Sequence, residues 1–160
     1  MSSPHGCATL RPSLHSTPMF SHVFVGVSDF PRALAFYRPL MACLGQAERF
    51  CDETRPWAGW QSTPGARPLF VIAGPHDGRP PTPGNGTMVA FLATDRETVR
   101  RAFELTARHG GTPEGEPGLR PHYHANYYGM YVRDPDGNKL CVVCHDQDES
   151  AAAVTFPDVP

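Results

Sequence analysis

Apolar residues fall along this chain in two patterns: short strand-like runs, and one longer stretch at helical spacing after each opening run. Residues 22–27 (HVFVGV) are apolar with β-branched and aromatic side chains, which predicts a strand. Ser28-Asp29 then offers a helix cap, and Pro31 stands where a first-turn proline sacrifices no hydrogen bond. Ala33, Phe36, Tyr37, Leu40, Met41 and Leu44 follow at helical spacing up to Gly45, with a kink predicted at Pro39. The same order returns 66 residues later without a gap. Residues 88–93 (MVAFLA) predict a strand, Asp95 a cap, and Val99, Phe103 and Leu105 a helix that stops at Gly110-Gly111. Val23 falls on Val89, Asp29 on Asp95, Tyr37 on Phe103 and Gly45 on Gly111.

Short strands broken by turn residues complete each copy, near 47–52, 58–61 and 69–73 and again near 112–115, 127–133 and 139–145. Asp134-Pro-Asp-Gly-Asn138 joins the last two as a hairpin turn. The chain therefore reads as βαβββ, linker, βαβββ. Module one covers 19–74, a Gly/Pro-rich linker 75–86 and module two 87–145, all in one domain, with tails at 1–18 and 146–160. The N-terminal tail is expected to be flexible.

Composition narrows the setting. With 14 Lys+Arg against 16 Asp+Glu the formal charge is −2, so no basic face marks the chain for nucleic acid. No apolar run approaches the roughly 18 residues of a membrane helix, and none resembles a secretory leader. Five cysteines, an odd number without paired spacing, argue against structural disulfides, and the cytoplasm is the expected compartment. The 15 glycines and 18 prolines are explained largely by linker, turns and tails.

Paired βαβββ modules, His22 opening the first strand, Phe36-Tyr37 in the first helix and the DPDGN hairpin together resemble the vicinal oxygen chelate superfamily. That group holds glyoxalases, bleomycin-resistance proteins and extradiol dioxygenases, and this chain looks like a glyoxalase-like member. The resemblance implies an α+β fold in which the two modules form a curved eight-stranded mixed sheet around one cavity. It also implies a homodimer. Metal-dependent relatives draw ligands from the first and last strands of each module, usually two His and one or two Glu. The matching positions here are His22, Phe70, Met88 and Cys141, so only the first keeps a family-type ligand.

The residues themselves allow two readings. His22 and Cys141 are candidate ligands of a divalent transition metal: alternation along the last strand turns Cys141 away from Leu140 and Val142, and a thiolate suits such an ion. Met88 and Cys141 also serve as apolar fillers of a vacated site. In Arg120-Pro-His-Tyr-His124, His122 and His124 share a face if the segment is extended, and Arg120 suits an anionic group. Phe24, Phe70, Phe91, Tyr128 and Trp60 are candidate apolar walls. Cys141-Val-Val-Cys-His145 matches a haem-attachment pattern, but it lies within a predicted strand, so no haem is expected. No nucleotide-binding fingerprint occurs. The competing functions are a metal-dependent lyase or dioxygenase with a degenerate metal site, and a metal-free protein that binds or sequesters a small molecule.

Overall fold

The computed structural model describes residues 19–62 and 65–147; both expected tails fall almost wholly outside these limits. Module one comprises β1 (His22–Gly26), α1 (Phe30–Cys43), β2 (Ala47–Asp52), β3 (Trp57–Gln61) and β4 (Leu69–Ala73). Module two repeats the order with β5 (Val89–Leu92), α2 (Arg96–Arg108), β6 (Thr112–Leu119), β7 (Tyr128–Arg133) and β8 (Lys139–Cys144). The fold is α+β, and its eight strands divide into two four-stranded mixed sheets ordered β1-β4-β3-β2 and β5-β8-β7-β6. In each sheet the first strand pairs parallel with the last, and the remaining pairs are antiparallel.

Both helices start where the caps place them. Asp29 accepts a hydrogen bond from the Arg32 N–H at 2.9 Å, and Asp95 accepts one from Thr98 at 2.7 Å. Gly45 and Gly110 follow the helix ends at φ +69° and +88°, the left-handed conformation in which a side chain is strained. α1 runs as one element through Pro39. β6 is longer than its expected 112–115, because pairing with β7 carries it across Pro117 and Gly118 with two irregularities of register.

Alternation divides each sheet into an inner and an outer face. Inner residues Val25, Ala58, Trp60, Phe70 and Ile72 of the first sheet and Met130, Val132, Leu140, Val142 and Cys144 of the second are buried with both helices in one continuous core. Full burial of each large side chain contributes about 1.5–3 kcal/mol. Phe36 of α1 crosses to module two: a Cβ at Gly111 would lie 2.9 Å from both Phe36 and Val132, and 2.8 Å from the Thr106 carbonyl. Because the inner faces share this core, the outer faces are turned away from it.

The β7–β8 hairpin joins the modules. The buried Tyr37 hydroxyl donates to Asp134 Oδ2 at 2.7 Å. Asn138 Nδ2 donates to the Gly26 carbonyl at 3.1 Å, and Asp136 accepts from the backbone and hydroxyl of Ser28 and from Arg32. The Asp134 carboxylate also receives the N–H groups of Asp136 and Asn138, which closes the turn. The DPDGN motif is thus both a turn and a clamp between modules.

Candidate functional site

Register assigns the outer-face residues. On the first sheet they include His22, Phe24, Val71, Gly59 and Phe50; on the second, Met88, Leu92, Cys141, Tyr131, Arg133 and Lys139. The first sheet's outer face is filled at its middle by its own rings. Phe50 lies across Gly59, where a Cβ would meet the ring at 2.5 Å, and against Trp57 at 4.4 Å between centroids. The second sheet's outer face instead forms one side of a cavity of about 720 Å³, closed by residues 83–86 of the linker, by Thr87 and Met88, and by Arg120, His122 and Tyr123.

Side chains of β6, β7 and β8 supply its polar groups. Glu114 is ion-paired to Arg133 and to Lys139, the latter at 3.3 Å, and the Arg133 hydrogen bond foremost holds its carboxyl below the usual range. The Tyr131 ring lies beneath two cations, Arg120 at 5.7 Å and Lys139 at 5.6 Å. Arg120 donates to the carbonyls of Glu116 at 2.8 Å and Leu119 at 3.1 Å. Beside Tyr131 in register, Cys141 is fully buried, with its sulfur 3.6 Å from the Tyr127 hydroxyl. Burial pushes the Cys141 thiol up and, with the Cys141 contact, pushes the Tyr127 phenol up as well.

A second, apolar groove of about 390 Å³ runs among β1, β4 and β5, and Val23, Phe70, Met88 and Phe91 line it. Phe70 reaches it only from the core, where it packs at 5.1 Å on Tyr37 and edge-on at 5.0 Å on Phe91.

The expected site residues separate accordingly. Arg120, His122 and Met88 come together in the polar cavity, beside the strand that carries Cys141. His22 is exposed with Nδ1 3.3 Å from Ser21 Oγ, and Phe24 is half exposed, both on the other sheet. His124 turns instead to His145, Nε2 to Nδ1 at 2.8 Å, and accepts the Asn126 N–H on its own Nδ1. Tyr128 lies on the helix side under the guanidinium groups of Arg96 and Arg100, at 5.3 and 5.4 Å. Trp60 is buried in the core and, with Phe70 and Phe91, borders the apolar groove. Glu114, Tyr123, Tyr131, Arg133 and Lys139 were not singled out by the sequence. The signal was present in Tyr131, Arg133, Lys139 and Cys141, alternate residues flanking a hairpin and therefore on one face.

These residues do not fit a metal at the four positions the resemblance implies. The register of β4 corrects the Phe70 assignment: Phe70 pairs with Val23 on the inner face, and the outer-face counterpart of Cys141 is Val71, which has no donor atom. The Cys141 thiol is buried and bonded to Tyr127. Among the described residues no group of three or more His, Cys, Asp or Glu side chains converges to hold an ion.

Comparison with known proteins agrees with the fold. Residues 19–142 match the family model of the Glyoxalase/Bleomycin resistance protein/Dioxygenase superfamily. A glyoxalase/bleomycin resistance protein from Albidiferax ferrireducens T118 is 35% identical, with a TM-score of 0.71 over 79% of this chain and 99% of that one. A glyoxalase-related enzyme from Fulvimarina pelagi shares the fold at 18% identity and a TM-score of 0.59, over 80% and 88% of the two chains. So does a glyoxalase/bleomycin resistance protein/dioxygenase family enzyme from Burkholderia phytofirmans PsJN, at 18% identity and 0.58, over 79% and 98%. No curated protein matches. The repeated βαβββ module, the hairpin that clamps its two copies and a family match over 124 residues lead to one assignment: this chain belongs to the glyoxalase/bleomycin resistance protein/dioxygenase superfamily.

Proposed function

We propose that the protein binds a small organic molecule in the polar cavity on the outer face of its second sheet, without a metal at the positions its superfamily uses. The observation that carries this reading is the state of Cys141. At the last-strand ligand position stands a buried thiol hydrogen-bonded to Tyr127, while the neighbouring cavity of about 720 Å³ falls within the size range of small-molecule sites. Binding or sequestration of the bleomycin-resistance kind accounts for both features. A lyase or dioxygenase reading needs the carboxylate ligands of the family, which Val71 and Cys141 do not offer.

Two measurements test it. Elemental analysis of protein purified without a histidine tag is expected to find no stoichiometric transition metal, and reconstitution is expected to add none at His22 or Cys141. A fragment screen by heteronuclear NMR is expected to shift cavity amides, those of 84–88 and 131–139, saturably. Stoichiometric metal that is lost in both His22→Ala and Cys141→Ser would overturn the metal-free reading. Fragments that leave those amides unmoved would overturn the cavity.

The homodimer implied by the family belongs to the same proposal. β1 and β5 are edge strands, and their outer faces expose Phe24 (50%) and Leu92 (67%). Such apolar side chains beside unpaired strand edges suit a second copy of the chain. No described helix is long and apolar enough to cross a membrane. The cytoplasm, expected from cysteines without paired spacing, is part of the same proposal.

A further inference from the structure

The cavity's charges are not evenly paired. Three cations, Arg120, Arg133 and Lys139, line it with one carboxylate, Glu114. Glu114 takes both Arg133 and Lys139, whereas Arg120 has no carboxylate within ion-pair distance among the described residues. Arg120 is nevertheless held in place. Its Nη1 and Nη2 each donate to a backbone carbonyl, of Leu119 and Glu116, and its guanidinium carbon lies over the Tyr131 ring, 5.7 Å from the centroid. The backbone leaves room for this posture. A Cβ at Gly118 would sit 2.9 Å from Arg120 Nη1, and one at Gly115 would sit 2.8 Å from the Tyr131 ring. Two carbonyl bonds use two of the five guanidinium N–H groups, leaving three donors on a cation whose side-chain entropy is already spent. Tyr123 (61% exposed) and Met88 (44%) add ring and thioether surface to the same cavity.

We infer that the cavity selects an aromatic oxyanion, its carboxylate or phosphate held by Arg120 and its ring laid against Tyr123 and Met88. The inference rests on the small-molecule reading above and names its ligand class. An oxyanion supplies what Arg120 lacks, a charged acceptor for its open N–H groups. A neutral amide of the same shape offers a carbonyl acceptor but no charge.

Titration of the full chain with benzoate, phenyl phosphate and neutral benzamide, followed by heteronuclear NMR, tests it. The anions are expected to bind about 10-fold or more tighter than benzamide, the value of one charged hydrogen-bonded contact. Added chloride should narrow that gap. Arg120→Gln should abolish the anion preference, and Arg120→Lys, which keeps charge but loses the planar fork, should retain part of it. Gly118→Ala leaves the charge untouched and should weaken the preference by displacing the guanidinium. If Arg120→Gln loosens the 116–120 backbone, the anion-to-amide ratio and its chloride dependence in the unaltered protein still decide. Equal binding of benzoate and benzamide at the cavity amides overturns the anion inference while leaving the small-molecule cavity standing. Cavity amides unmoved by any of the three probes, and by the wider fragment screen, overturn both.

Discussion

Replacing Tyr37 by Phe removes one oxygen from the centre of the molecule and tests how the two modules are held together. The Tyr37 hydroxyl is fully buried on α1 and donates at 2.7 Å to Asp134, which is 3% exposed in the β7–β8 turn. A hydrogen bond to a carboxylate contributes about 1.5–3 kcal/mol. Asp134 Oδ2 keeps the bond from Asn138 Nδ2 at 2.9 Å, and Oδ1 keeps two backbone N–H groups. The anion is therefore not orphaned, and the retained ring leaves no cavity. The expected loss lies at the lower end, about 1.5–2 kcal/mol, or a fall in Tm of about 3–8 °C for a chain of this size. Urea denaturation followed by circular dichroism should show a lower midpoint with an unchanged slope. Tyr37→Phe combined with Asp134→Asn should be less damaging than the sum of the two. A loss below about 0.5 kcal/mol, the size of an ordinary surface change, would refute the reasoning that this bond clamps the modules.

Four further outcomes follow from the same geometry. Burial, aided by Asp134, pushes the Tyr37 phenol well above its ordinary value; the stability this lends is whole below the unfolded-state pKa of about 10 and is lost as pH rises above it, by about 1.4 kcal/mol per pH unit per proton. Stability measured between neutral and strongly alkaline pH should fall less steeply in Tyr37→Phe, and equal slopes would count against the buried phenol. Gly111→Ala forces a Cβ within 2.8 Å of the Thr106 carbonyl and 2.9 Å of Phe36 and Val132, so thermal denaturation should register a loss of about 1–3 kcal/mol, whereas an unchanged Tm would mean the junction is loose. Among the described cysteines, Cys141 and Cys144 are buried while Cys43 and Cys51 are partly exposed, so thiol labelling followed by mass spectrometry should modify Cys43 and Cys51 before Cys141 and Cys144; labelling of Cys141 ahead of them would contradict its enclosure by Tyr127. Leu92→Lys places a charge on the exposed face of edge strand β5 and should shift light-scattering mass towards the monomer; a variant that remains as dimeric as the parent would remove this face from the interface.

Local order was open to reading because short-range physics dictates it. Asp29 and Asp95 had to cap helices, Gly45 and Gly110 had to end them, and the Asp-Gly pair had to turn a hairpin, whatever lay elsewhere in the chain. The 66-residue repeat carried these signals twice and fixed the α+β class. Prolines and glycines have poor strand propensity, so the sequence predicts only 112–115 of β6. Pairing with β7, a non-local contact, overrides that preference.

The site was less open to reading, since it depends on which faces meet. Alternation correctly sets Cys141 opposite Leu140 and Val142, but nothing local says that Tyr127 and Tyr131 will close over it. The sequence puts a family ligand position at Phe70, but pairing with β1 turns Phe70 inward onto Tyr37, Trp60 and Phe91, from three separate elements, and gives the outward place to Val71. Arg120 was recognisable as an anion-seeking residue; that Glu114 would pair with Arg133 and Lys139 and leave it unmatched required three strands in register. The sequence alone therefore determined two βαβββ modules, their caps, their turns and their family. Only tertiary packing decided that the sheets share one core through their inner faces and that the polar cavity gathers on the outer face of the second. The physical reason is that propensity and capping act within a few residues, whereas burial, ion pairing and the enclosure of a thiol depend on neighbours brought together by the fold.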